Sequence, residues 1–153
     1  MSAALPFAAV GTSLIAARQA SAIGSFNQAV AERNATIAEQ EAEAQKKLTT
    51  YNLNKFNQSF EKLQSRTRVG LLKSGVELSG TALKILQSNA EQAELQRDVI
   101  EYNGQVAEAK KLEEANFARI SGTLARRQAN LQALGYISQA GTSLLNMKQV
   151  GLI

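Results

Sequence analysis

One dense cluster of helix breakers, Lys73-Ser74-Gly75-Val76-Glu77-Leu78-Ser79-Gly80, stands midway along a chain of 153 residues. Gly and Pro are the strongest local punctuators of secondary structure, and the single proline is Pro6. From about Thr12 to Leu72, and again from Thr81 to about Lys148, the chain is rich in Ala, Gln, Glu, Lys and Leu, which are good helix formers. Val and Ile are scattered, and no alternating run extends beyond a few residues, so strand signals are nearly missing. The expectation is an all-α, single-domain chain. An N-terminal helical arm covers 1–73, a turn covers 74–80, and a C-terminal helical arm covers 81–153.

The turn predicts its own chemistry. Ser74, Gly75, Val76, Ser79 and Gly80 are its key residues. Gly75 suits the position just past the first helix, and Ser79 or Thr81 offers an N-cap oxygen to the second. Reversal in so few residues requires φ above zero at Gly75, Gly80 or both, where a Cβ costs about 1–2 kcal/mol.

Apolar residues recur at helical spacing in both arms. Val30, Ile37, Ala44 and Tyr51 repeat every seven residues, and Leu53, Phe56, Phe60 and Leu63 continue at 3-4-3. In the second arm Leu95, Val99, Tyr102, Val106 and Ala109 run 4-3-4-3, and Leu131, Leu134 and Ile137 resume at threes. This is the period of an amphipathic helix, close to a heptad in places. Sixty helical residues span roughly 90 Å, so two such arms predict an elongated antiparallel hairpin. A lone hairpin encloses no globular core, because each helix has a single neighbour. The expectation is therefore a homo-oligomer, a ring or bundle held by the Leu53/Phe56/Phe60/Leu63 and Leu95/Val99/Tyr102/Val106 stripes. Gly24, Gly104, Gly122 and Gly135 are candidate points for a kink or split, each unfavourable by about 1 kcal/mol relative to Ala.

Small residues form strips near the N-terminus: Ser13, Ala17, Ser21, Ser25 and Ala29 at i+4 spacing, with Ala16, Ala20 and Gly24 beside them. Such strips let helix backbones approach closely, and a close helix contact is expected there.

Composition removes whole classes of function. Trp, Cys and His are absent. No disulfide, no Cys- or His-based metal site and no Ser-His-Asp or Cys-His catalytic group can be built. No Gly-rich phosphate loop or paired catalytic acid stands out. The reading is a non-enzyme without cofactors. Glu91, Glu94, Asp98 and Glu101 share one helix face and could in principle hold a divalent ion, but Arg97 lies among them, and a solvated acidic face is the expectation.

Charge is unevenly placed. The chain holds 17 Lys+Arg and 13 Asp+Glu, and every acid lies between Glu32 and Glu114. Residues 1–31 carry only Arg18, and residues 115–153 carry only Arg119, Arg126, Arg127 and Lys148. Acid-free basic ends of this kind suit nucleic acid or anionic lipid. Arg119, Arg126 and Arg127 are candidate phosphate contacts, with no aromatic platform beside them for reading single strands.

The same ends are candidates for membrane activity. Ala3 to Ala17 is uncharged, with Leu5, Phe7, Val10, Leu14 and Ile15 as its large apolar residues. At about 22 Å of helix it falls short of a roughly 30 Å hydrocarbon core. No basic residue precedes it, so it is read as a retained segment and not a signal peptide. Gln128 to Met147 is also uncharged, with Leu131, Leu134, Ile137, Leu144 and Leu145. It is long enough to span, but its amides make a lone span in lipid unfavourable. A helix with one polar face in a protein assembly is the expectation for the resting state, and a pore would require rearrangement. Gly11-Thr12-Ser13-Leu14 and Gly141-Thr142-Ser143-Leu144 echo one another, and an antiparallel hairpin sets both at one tip.

A family resemblance accompanies these readings. The segment Arg68-Val69-Gly70-Leu71-Leu72-Lys73-Ser74-Gly75-Val76-Glu77-Leu78-Ser79-Gly80-Thr81 is followed by Ala90-Glu91-Gln92-Ala93-Glu94-Leu95 and Ile100-Glu101-Tyr102-Asn103-Gly104. The tail carries Ala133-Leu134-Gly135-Tyr136-Ile137-Ser138-Gln139-Ala140-Gly141-Thr142-Ser143-Leu144-Leu145. In order and spacing, over roughly residues 66–145, this resembles the small internal virion, or ejection, protein of short-tailed bacteriophages. It departs from that pattern in a tail that ends soon after Lys148 and in a second arm richer in Lys and Gln. The resemblance implies a protein inside the capsid, beside the portal protein and other internal virion proteins. It further implies release at infection, ahead of the genome, to help form a channel in the host outer membrane within the cell envelope. Two other roles stay open: a purely structural portal or tail adaptor or core scaffold, and a packaging protein that binds genomic DNA non-specifically through its basic ends.

Overall fold

The computed structural model describes residues 4–75 and 80–149, with side chains from residue 10 onward except 146 and 147. Two helices account for nearly all of it. α1 runs Ala4–Lys73 and α2 runs Thr81–Gln149, 70 and 69 residues. They pack against each other as a helical hairpin, and no strand occurs among the described residues. Neither helix is split at Gly24, Gly104, Gly122 or Gly135.

The turn meets its expectation at both glycines. Gly75 has φ of 72° and Gly80 has φ of 58°. Gly75 closes α1 by donating its N–H to the Leu72 carbonyl at 3.2 Å, the inner bond of a Schellman cap. Ser74 donates its N–H to Gly70 and its hydroxyl to Leu71. The Gly80 carbonyl accepts the first bond of α2, from Lys84 at 3.2 Å. Thr81 is thus the first helical residue of α2. Val76 and Ser79, and the N-cap expected of Ser79, lie outside the described residues.

The chain divides into two compact units. Unit 1 combines residues 1–37 with 114–153, and unit 2 is residues 38–113. In both, the helices meet along a seam of small residues. Among the described residues the buried apolar set is made of alanine alone: Ala17, Ala35, Ala38, Ala42, Ala82, Ala93, Ala115, Ala129 and Ala140. Gly24 and Gly122 are buried beside them. In unit 1 a Cβ on Gly24 would collide with the Cβ of Ala129, and one on Gly122 would lie 2.5 Å from the Cβ of Ala31. In unit 2 a Cβ on Gly104 would collide with the side chain of Thr49. Gly24, Gly104 and Gly122 are therefore places of close helix approach, whereas the exposed Gly135 has no described atom within 4 Å of where its Cβ would stand. Close approach offsets the unfavourable helix propensity of the first three.

The seam also corrects the N-terminal strip. Ala17 and Gly24 face the partner helix, and Ala16 and Ala20 are half-buried, but Ser21, Ser25 and Ala29 are exposed. A strict i+4 row drifts about 40° per step around a helix of 3.6 residues per turn. Mixed steps of three and four stay on one face: Ala17, Ala20, Gly24, Gln28, Ala31, Ala35, Ala38 and Ala42 do so.

Candidate functional site

With the helix-helix contact made by alanine and glycine, most large apolar side chains point outward. In unit 1, Ile15, Ile23, Phe26 and Val30 of α1 are exposed, as are Phe117, Ile120, Leu124, Leu131 and Leu134 of α2. In unit 2 the exposed set includes Leu48, Tyr51 and Leu63 on α1 and Leu95, Val99, Tyr102 and Leu112 on α2. Scattered single exposures are normal on a soluble surface. Large contiguous apolar patches are what mark interaction surfaces.

The two stripes expected to hold an oligomer sit differently. Leu53, Phe56 and Phe60 are half-buried. Phe56, Phe60 and the exposed Leu63 border an open groove of about 210 Å³ with Asn89, Ala93 and Gln96. A second open groove, of about 680 Å³, lies toward the turn between Gln64, Ser65 and Arg68 of α1 and Leu83, Leu86, Gln87 and Ala90 of α2. On α2, Leu95, Val99 and Tyr102 stand outward, with Tyr102 66% exposed, and Val106 is half-buried. Three residues of the first stripe are thus half-buried and Leu63 is exposed, while three of the second are exposed and Val106 is half-buried.

The candidate phosphate contacts are partly engaged within unit 1. Arg119 donates from Nε to the Glu32 carboxylate at 3.1 Å. Arg126 donates from its guanidinium to the Gln28 side-chain oxygen at 2.7 Å. Arg127 is exposed. The first two arginines therefore link α1 to α2 across the seam.

Among the candidate membrane residues, the side chains of Leu5 and Phe7 lie outside the described set. Val10 is half-buried. Leu14, Ile15, Leu131, Leu134, Ile137, Leu144 and Leu145 are exposed. No helix among the described residues is long and apolar enough to cross a membrane.

Unit 2 carries ion pairs across and along its helices. Lys111 reaches Glu41 at 2.8 Å, and Lys46 reaches Glu108 at 3.9 Å. Lys47 pairs with Glu43 at 2.8 Å. The hydrogen bond from Lys47, and then its charge, hold the Glu43 carboxyl below its ordinary value. No group of acids among the described residues is arranged to hold a metal ion. Glu91 accepts a hydrogen bond from Gln87, and Glu101 from Gln105. Glu91, Glu94 and Asp98 are exposed, and Glu101 is half-buried.

Compared with protein families, curated proteins and solved structures, the chain matches none.

Proposed function

We propose that this chain is a self-assembling helical hairpin of the internal virion kind, a structural protein that packs with copies of itself inside a phage capsid near the portal. The observation that carries the reading is the inversion of its packing. Alanines occupy the inner seam, while Phe26, Phe117, Leu131, Leu95 and Tyr102 lie exposed. Apolar burial contributes about 25 cal/mol per Å², so the larger reserve of association energy is on the outer faces. The motif order from Arg68 to Leu145 supports the virion role, and nothing in the site geometry calls for catalysis.

Release into the host outer membrane is the finer part of the reading. The uncharged segments 3–17 and 128–147 both belong to unit 1, and their described large apolar side chains are mostly exposed. No helix among the described residues is long and apolar enough to span alone, so insertion would need several copies satisfying one another's polar groups. A purely structural adaptor that never meets lipid is the competing reading, favoured by the same lack of a spanning helix among the described residues.

The test has two parts. Light scattering of the full chain at micromolar concentration should report an oligomer, and a stable monomer would defeat the proposal. Immunolabelling should detect the protein in full particles and lose it from particles that have released their genome. Retention after release would favour the adaptor.

A further inference from the structure

Unit 2 carries two charged stripes whose placement is matched. At 3.6 residues per turn, positions 51, 55, 62 and 66 fall within roughly 60° of one another. Tyr51, Lys55, Lys62 and Arg66 therefore form one row on α1, and all are exposed. Among the described residues none of these three cations forms an ion pair, whereas Lys46, Lys47 and Lys111 all do. Lys62 and Arg66 are four apart, a like-charge spacing that weakens a helix. The row lies roughly 135° around α1 from the seam face of Leu53, Phe56 and Phe60.

On α2, Glu91, Glu94, Asp98 and Glu101 form the opposite row, roughly 130° from the seam face of Ala93, Ile100 and Gly104. Tyr102 stands on the edge of that row, 66% exposed. Among the described residues these acids form no ion pair, and Glu91 and Glu101 accept only from the glutamines beside them. Lys84 marks the limit of the acidic face toward the turn. Because α1 and α2 run in opposite directions, the two angular offsets fall on opposite flanks of the hairpin.

The heights agree as well. Thr49 lies against Gly104, Lys46 reaches Glu108, and Glu41 reaches Lys111. Toward the turn, Phe60 and Ala93 share a groove. That register sets Tyr51 level with Tyr102, Lys55 level with Asp98, and Lys62 level with Glu91. One flank therefore presents tyrosine and cations, and the other presents tyrosine and four carboxylates with Arg97 at their edge, at the same heights.

We propose that the acidic flank of one copy docks on the basic flank of a second copy of this chain, parallel and without axial shift. Lys55 then faces Asp98 of the neighbour, Lys62 faces its Glu91, and Tyr51 meets its Tyr102. This rests on the self-assembly reading above and specifies its partner surface. A two-fold contact through either flank would set like charges together, so the contact is head-to-tail. Repeated without shift, it yields a closed ring or a flat row and not a climbing filament. Exposed charges here set register and direction, and the tyrosines with Leu95 supply apolar contact.

The test uses the full chain and two charge-reversal variants, Lys55→Glu/Lys62→Glu and Glu91→Lys/Asp98→Lys. The first makes both flanks acidic and the second makes both basic. Each alone should associate at least about tenfold more weakly than wild type by light scattering, with helical circular dichroism retained. An equimolar mixture should restore assemblies of wild-type size. If either variant assembles like wild type, or the mixture stays dissociated, the pairing is wrong although self-assembly stands. A monomeric wild type defeats both readings together. Duplex DNA binding that only the Lys55→Glu/Lys62→Glu variant loses, with assembly unaffected, would assign the basic flank to nucleic acid and overturn the proposal.

Discussion

Gly104 of α2 lies directly against Thr49 of α1, whose side chain fills the space that a Cβ at position 104 would need. Thr49 has little room to yield. It is β-branched, and its hydroxyl is bonded to the Gln45 carbonyl at 2.9 Å. Gly104→Val should therefore destabilise the hairpin by about 1–3 kcal/mol through overpacking, despite the better helix propensity. Thermal melts followed by circular dichroism measure this. Thr49→Ala in the same chain should recover part of the loss, since the two sites share one contact.

The turn gives a different kind of sensitivity. Among the described residues nothing lies within 4 Å of a Cβ built on Gly75 or Gly80, so the penalty argued for substitution there is that of backbone conformation. Gly75→Val and Gly80→Val should each destabilise by about 1–2 kcal/mol, and Gly75→Asn by less, because Asn tolerates the left-handed region. Unchanged melting in both valine variants would show that the chain reverses by another route.

Ion pairs across the seam should matter little singly. Glu41→Gln, Lys111→Gln and Glu32→Gln are each expected to lower stability by less than about 1 kcal/mol, because the pairs are solvent-screened. Glu43 supplies a pH signature. Its carboxyl is held below its ordinary value by Lys47. The benefit is present above the unfolded-state value and is lost as pH falls through the lowered folded-state value. An NMR titration should find the depression in wild type and its removal in Lys47→Gln.

Membrane activity has a direct assay. Purified full chain should release dye from liposomes if the ends act as proposed, and Leu134→Asp and Leu144→Asp should abolish it. A mid-span charge costs at least about 2.5 kcal/mol per copy on insertion scales. Leakage that survives both substitutions, or never occurs in wild type, supports the adaptor reading.

The long helices and the turn were legible from breakers and composition, because Ser74 to Gly80 is the only dense interruption of two helix-forming stretches. The inner seam was less legible. A search for large apolar periodicity finds Val30, Ile37 and Tyr51, and all three prove exposed. The helix contact instead follows Ala17, Gly24, Ala31 and Ala38, and Ala35, Ala42 and Thr49, each set repeating every seven residues. That signal is present but consists of the smallest side chains, which hydrophobicity weighs least. The acidic row on α2 shows in its spacing. The significance of Lys55 and Lys62 emerges only once Thr49 and Gly104 establish which heights coincide.

The alanine seam also governs how the hairpin comes apart under load. No bulky anchor has to be drawn from a pocket at Ala17, Ala35, Ala115 or Ala129, only methyl groups lifted from shallow contacts. Tension applied across the two helices should part the alanine stretches in small steps, with more resistance where Phe56 and Phe60 meet α2. The same short-range contacts can close again once the force is gone.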